Sequence, residues 1–502
     1  MRKLILFVFG AVVLIVLAAM AAAYWFLSGD GVRRAIEQQA SAWLGQPVTV
    51  GSASGQILPR AAINLGDIRV GNPARLTLAD VQLSTDLRAL LNRRIEDATI
   101  TIADSRIEMP LPFALPSSDA ESTGSSSSSG NAVTIGSIRA IALRNIQIVS
   151  RGREVRVDAE SALAGDKLTL RSFRAESGRT ALDAEGEVAL APSVDAKLRV
   201  KANRLDVDEL LALADAFTPS SSTTSAHDSS AAAAPARIAA RISAATASAG
   251  GVEVSQFATD AEVVGDRVAL SPLSFQLFGG QYQGSVNASL GKAISLSLRS
   301  RLQNIDVAKL AAFGGSPDTI SGTLTGAGTF SGDGADVAAV LANARGMGTA
   351  SIASGEIRQL NLVRTVVVFF GKPADNAPAA TDKFDRIDTS FSLARQVFRA
   401  DAFSMHSPDV DIVGSGTLTL GNEALDGALD LSLSEALSAQ AGNDLQRYTR
   451  EGNRVVLPAR LGGTLSSPRL SIDAEAALKR GLRNEVERRL KGILGGFSRE
   501  PK

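Results

Sequence analysis

The chain has 502 residues, and 52 Lys and Arg balance 52 Asp and Glu, so the net charge is zero. A nucleic-acid binder carries a basic excess, so that class is disfavoured. There is no cysteine and there are two histidines, which removes disulfides, thiolate metal sites and cysteine nucleophiles.

Aromatic residues make up 5% of the chain, low for one large packed core, where rings usually dominate the burial. Gly, Ala, Ser, Thr, Val and Leu carry the sequence instead. That mix suits plain strands joined by tight turns.

The first element is an uninterrupted apolar run from Leu4 to Leu27, without charge or proline. As a helix at about 1.5 Å per residue it is about 36 Å long, enough to span a bilayer core of about 30 Å. Arg2 and Lys3 precede it, as cytoplasmic flanks do, and Tyr24 and Trp25 close it where amphipathic rings meet the interface. The expectation is a single-pass anchor with a cytoplasmic N-terminus and the bulk of the chain across the membrane. The alternative is a cleaved signal peptide, for which Ala21-Ala22-Ala23 offers small residues. An h-region of about 7–15 residues is much shorter than this run.

A short amphipathic helix is expected over Gly31–Leu44, with Val32, Ile36, Ala40, Trp43 and Leu44 toward one side, stopped by Gly45 and Pro47. Beyond Pro47 the period becomes two. Val194, Ala196, Leu198 and Val200 share one parity. So do Tyr282, Val286, Ala288 and Leu290, and likewise Ile294, Leu296, Leu298 and Leu302. Leu418 with Leu420, and Leu429, Leu431 and Leu433, repeat the pattern. Strands with one apolar and one wet face belong to antiparallel sheets. Gly279-Gly280, Leu290-Gly291-Lys292 and Gly421-Asn422 are the turn signals.

An internal repeat links Gly186–Leu211 with Gly284–Ala311. Both read strand, turn, strand, then a short helix begun at an Asp, Asp206 or Asp306, that can cap its first amides. A looser copy runs from Val81 to Leu91. Low-complexity stretches at Pro116–Asn131, Thr218–Pro235 and Lys372–Lys383 cannot bury a core and read as loops. The segment Ala474–Leu494 returns to helical period, with Leu478, Leu482, Val486, Leu490 and Ile493 in one stripe. Its Lys479, Arg480, Arg483, Arg488, Arg489 and Lys491 outweigh Glu475, Glu485 and Glu487. Such a helix lies on a membrane or docks a partner, or it covers the end of the sheet.

Catalytic signatures fail. Gly291-Lys292 and Gly371-Lys372 lack the upstream glycine and following Ser/Thr of a phosphate loop. Gly326-Ala327-Gly328 reaches Gly332 one residue too late for a dinucleotide fingerprint. Gly51-Ser52-Ala53-Ser54-Gly55 places Ala where a nucleophile elbow needs Ser. Asp409 and Asp411 alternate with apolar residues like the wet face of a strand, and His406 reads as a surface strand residue. No enzyme activity, cofactor or metal is expected.

What is left is a sheet with an apolar face and little to bury it against. A second sheet would give a sandwich. Alternatively the face is a trough completed by lipid chains, each buried CH₂ contributing about 0.8 kcal/mol. Strand parity nominates Leu273, Phe275, Leu277, Tyr282, Val286, Leu296 and Leu298 as its lining.

The anchor, the Val32–Leu44 helix followed by Gly45-Gln46-Pro47-Val48, and Gly66-Asp67-Ile68-Arg69-Val70 resemble the start of AsmA-family proteins. Leu270–Gly284, Asn304-Ile305-Asp306, Ile320–Leu324 and Leu341–Leu362 resemble that family's C-terminal region. The resemblance implies a mostly β protein: an N-terminal transmembrane helix, an elongated, curved antiparallel β-groove, short helices and a C-terminal amphipathic helix. The expected organisation is a tip at 1–3, the anchor at 4–27 and an N-terminal AsmA-like β region at 28–215. A loop at 216–236, a second β region at 237–473 and a basic helix and tail at 474–502 complete it. The resemblance further implies a periplasmic protein of the inner membrane that carries phospholipid, or another two-chain lipid, in outer-membrane biogenesis. The alternative is a non-conducting scaffold for outer-membrane proteins.

Overall fold

The computed structural model describes residues 29–56, 61–86, 94–95, 97–111, 134–135, 137–217, 235–291, 293–358, 362–371, 383–442, 446, 449–483 and 486. The expected anchor and its flanks, Arg2, Lys3, Tyr24 and Trp25, lie outside these residues, as do His227 and positions 87–91 of the looser third repeat. Among the described residues no helix is long and apolar enough to cross a membrane. The chain is mostly β and divides into two units, Met1–Gly265 and Asp266–Lys502.

The first unit opens with α1 (Gly29–Leu44), followed by β1 (Val48–Gln56), β2 (Ala61–Val70), β3 (Leu76–Thr85), β4 (Arg94–Ile95), β5 (Ala98–Ala103) and β6 (Arg106–Met109). Then come β7 (Thr134–Ile135), β8 (Ser137–Ser150), β9 (Arg153–Ala164), β10 (Lys167–Ser177), β11 (Thr180–Ala189) and β12 (Asp195–Asp206). Helix α2 (Val207–Phe217), β13 (Arg237–Ala249) and β14 (Val252–Val264) complete it. Ile36 and Ala40 of α1 are one helical turn apart and are each 3% exposed. They close over Val50, Leu65, Val81 and Ile100 from the first strands, giving this end of the unit a filled core.

The pairing is antiparallel except where the chain must return. β5 and β6 run parallel to β8, the short β4 runs parallel to β7 across the same connection, and β12 runs parallel to β13. Met109 lies beside Ser150 at one end of β8, yet the strand starts at Ser137. At about 3.3 Å per residue that return is about 43 Å, or about 13 extended residues. The connection 110–136 holds about twice that number. Likewise Asp206 lies beside Ser248 while β13 starts beside Asp195, and residues 207–236 make the return. Two of the three low-complexity stretches therefore sit in the long crossovers that parallel pairing demands. The expectation of a purely antiparallel sheet is corrected at these two places. Periodicity in the strands reports their faces but not their direction.

The second unit contains β15 (Arg267–Leu277), β16 (Gly280–Leu290), β17 (Ile294–Asp306), α3 (Val307–Phe313), β18 (Thr323–Gly334), α4 (Val337–Ala342) and β19 (Arg345–Glu356). These are followed by α5 (Leu362–Phe369), β20 (Lys383–Ala394), β21 (Val397–His406), β22 (Val410–Thr419), β23 (Ala424–Leu433) and α6 (Glu435–Ser438). Last come β24 (Arg450–Glu451), β25 (Arg454–Thr464), β26 (Ser467–Ile472) and a C-terminal helix from residue 474. β15 to β23 and then β25 and β26 pair antiparallel in order. Val363, Val366 and Val367 of α5 pack with Ile387, Val410, Leu431 and Leu457 into a second filled core.

The repeat is structural. β10–β11–β12–α2 and β15–β16–β17–α3 both carry a β-bulge in their first strand, at Leu170/Phe173 and Leu270/Leu273. Asp206 accepts from the Glu209 amide at 3.1 Å, and Asp306 accepts from the Ala308 and Lys309 amides. A further copy, β21–β22–β23–α6, has its bulge at Ala400/Phe403 and uses Ser434 as the cap. The swap of cap residue and the changed side chains hid that copy in the sequence.

Candidate functional site

In the second unit the alternation of β15, β16 and β17 places every nominated lining residue on one face. Phe275 stands opposite Tyr282, Val286 opposite Leu298, and Leu296 opposite Ala288. The bulge between Leu270 and Leu273 makes this possible. It shifts parity by one, so that Leu270 and Leu273 both point to the apolar face. Leu273 and Tyr282 are buried, at 7% and 8% exposure. Phe275, Leu277, Val286, Leu296 and Leu298 are only half-buried.

The face continues across further strands. Leu298 opposes Phe330, Phe330 opposes Gly346, Gly346 opposes Leu393 and Leu393 opposes Phe398. All of these are half-buried. They contrast with Leu431, Leu433 and Leu457 at the α5 end, which are fully buried. One end of the sheet is thus packed as a core, while the strands before it keep an apolar floor without that degree of cover. Helix α4 lies over one rim of the floor, where a Cβ on Gly332 would meet the Val340 carbonyl oxygen at 2.5 Å.

Glycines shape this floor. A Cβ on Gly346 would stand 2.4 Å from Cδ1 of Phe330, and one on Gly348 would stand 2.7 Å from Cζ of Phe391. A Cβ on Gly284 would meet the Tyr282 hydroxyl at 2.6 Å. Each ring lies flat across a residue with no side chain, which gives the floor low relief and covers backbone that glycine leaves bare. The rings also pack on each other: Phe275 and Tyr282 stack at 4.4 Å and 3°, and Phe391 and Phe398 at 4.7 Å and 26°. The Tyr282 hydroxyl is satisfied by Ser300 Oγ at 3.2 Å.

The sequence reading missed Phe330 because β18 is rich in glycine, and Phe391 and Phe398 because bulges at Ser390/Phe391 and Ala400/Phe403 break the alternation of β20 and β21. Gly326-Ala327-Gly328, weighed and rejected as a dinucleotide fingerprint, is β18 with its glycines on the apolar parity. Glycines two apart, with an aromatic residue on the same parity, are the signal that would have found it.

The wet parity of the strands carries cross-strand ion pairs, Lys167–Glu187, Arg237–Glu262 and Arg241–Asp260 in the first unit and Arg345–Asp333 in the second. Equal numbers of acids and bases are thus spent on local neutralisation. Exposed pairs of this kind add little stability, but they leave no one-signed field for a polyanion.

An open depression of about 990 Å³ is lined by Arg301, Thr325, Thr349, Arg386, Asp388 and Asp401, and Asp388 is bound to Arg386. Ala327, Ala350, Ala402, Phe403 and Val413 also line it, so polar and apolar groups alternate around its walls. Asp411 is held by Arg454 and His406 at 2.5 and 3.4 Å, so it ties β22 to β25 rather than pairing with Asp409 for acid–base work. Among the described residues no three His, Cys, Asp or Glu cluster as a metal would require.

The chain is 23% identical to Protein AsmA of Escherichia coli (strain K12) over 249 residues, 48% of this chain and 39% of that protein. The match supports an AsmA-like family assignment, although it spans well under two thirds of the relative's length. No family profile matches the chain, and no solved structure matches it.

Proposed function

We propose that this AsmA-like chain is anchored in the inner membrane by Leu4–Leu27, lies in the periplasm and carries phospholipid acyl chains along its apolar floor toward the outer membrane. The half-buried floor of Val286, Leu298, Phe330, Leu393 and Phe398 carries this reading. A two-chain lipid gains about 0.8 kcal/mol per buried CH₂ there. The low relief left by the glycines offers no deep socket, so the lipid is held without fixed register and can slide. The wet face, with its neutralised charges, stays in water.

A scaffold without bound lipid is the second reading. It is favoured by the filled cores under α1 and under α5, which stop the apolar face from being open throughout each unit.

The two separate on a pair of variants. Leu298 is half-buried and opposes Val286 and Phe330, whereas Ser297 beside it is exposed. Leu298→Glu puts an ionised group where acyl chains would lie, and Ser297→Glu puts one in water. Lipids co-purified with each full-length variant are measured by mass spectrometry, alongside protease resistance. Folded Leu298→Glu protein stripped of lipid, beside a normal Ser297→Glu protein, supports the carrier. Equal lipid in both, or none in the parent protein, overturns it.

A further inference from the structure

The C-terminal helix begins at Asp473, whose side chain accepts from the Ala476 amide at 2.9 Å. Its apolar stripe does not cover the sheet. Leu478, Leu482 and Val486 are 68%, 66% and 56% exposed. The side that packs is formed by small residues: Ala477 is 4% exposed, and Gly481, four residues on, is also buried. At about 100° per residue, the side formed by Ala477 and Gly481 and the stripe of three apolar residues are centred about 120° apart around the helix. Arg480 fixes this orientation by bridging Asp430 at 2.7 Å and Glu451 at 2.8 Å.

The helix is therefore clamped with its large apolar side chains turned outward. Lys479, which pairs with Glu475 at 2.5 Å, and Arg483 border one edge of the stripe and are exposed. In the sequence Arg488, Arg489 and Lys491 follow, and Leu490 and Ile493 keep the apolar spacing. An outward apolar stripe with a cationic edge is complementary to a bilayer surface bearing anionic headgroups. A covering element of this same fold would need no such excess of positive charge.

We propose that the C-terminal helix is a docking face for an anionic lipid bilayer, separate from the apolar floor and from the N-terminal run. Leu478, Leu482 and Val486 enter the headgroup boundary while Lys479 and Arg483 meet the phosphates. The Arg480 clamp holds the sheet at a fixed orientation to that surface.

The chain has no cysteine, so Leu482→Cys supplies a unique thiol for an environment-sensitive fluorophore. The full chain is held in a phosphatidylcholine nanodisc and mixed with vesicles of phosphatidylcholine, with or without phosphatidylglycerol. The probe reads position 482 alone, whatever the N-terminal run does. A blue shift with a several-fold rise in emission is expected only with phosphatidylglycerol vesicles. It should fall in high salt and be lost in Lys479→Glu/Arg483→Glu. The labelled site touches none of the buried core, and a label at exposed Ser297 controls for general adsorption. No shift with anionic vesicles overturns the proposal. So does a shift that grows with protein concentration without vesicles, which would assign the stripe to a second copy of the chain.

Discussion

The ring of Phe330 lies over the α-carbon of Gly346, its direct partner across β18 and β19, so closely that a Cβ there would stand 2.4 Å from Cδ1. The same Cβ would meet the Thr329 carbonyl oxygen at 2.6 Å. Gly346→Ala must therefore lift the ring or part the strands. A loss of about 1–3 kcal/mol is expected from such overpacking, read from the urea midpoint. Gly462→Ala in β25, where the nearest atom is 4.0 Å away, serves as the control and should be neutral or slightly stabilising.

Truncation should separate the core from the floor. Leu431 is fully buried among α5, β22 and β25, and Leu431→Ala should cost about 2–5 kcal/mol. Leu298 is already half-exposed, so Leu298→Ala should cost clearly less in the same lipid-free assay. Equal losses at both positions would mean that the floor is packed as a core in solution.

The crossover between β6 and β8 has more chain than its span requires. Deleting Ser122–Ser129 shortens residues 110–136 but leaves more than the about 13 residues that the 43 Å return needs. Stability should change by less than about 1 kcal/mol, since loop length enters only logarithmically. Deleting all of 112–133 leaves too little chain, and the β6–β8 pairing should be lost. Thermal melts of both deletions decide this.

Acid should weaken the helix starts. The Glu209 amide, followed by the Arg179 guanidinium, holds the Asp206 carboxyl below the usual carboxylate range. The Ala476 amide and Arg460 do the same for Asp473. A depressed folded-state pKa adds stability above the unfolded value, and that stability is lost as pH falls through the folded one. Tm should therefore drop on acidification below about pH 4. Asp206→Asn and Asp473→Asn should each flatten that drop while lowering Tm at neutral pH. An unchanged acid limb in both variants would show that these caps are not coupled to folding.

Alternation of apolar and polar residues by itself determined the strand class, the two faces and the membership of Leu273, Phe275, Tyr282, Val286 and Leu298 in one surface, because side chains alternate with period two in any sheet. The Asp caps and the Gly279 turn were equally local, since each rests on bonds or dihedrals within a few residues; Phe278 and Gly279 both take positive φ, at 48° and 79°. Only the tertiary structure decided what those faces meet. The parallel returns to β8 and β13 depend on which strands become neighbours, which no local pattern encodes. Nothing local shows what the β19 glycines meet, because Phe330 and Phe391, which lie across Gly346 and Gly348, come from the neighbouring strands β18 and β20. The stripe of the C-terminal helix was equally compatible with covering the sheet or turning away. Arg480, by reaching Asp430 and Glu451 far away in the sequence, turned it outward.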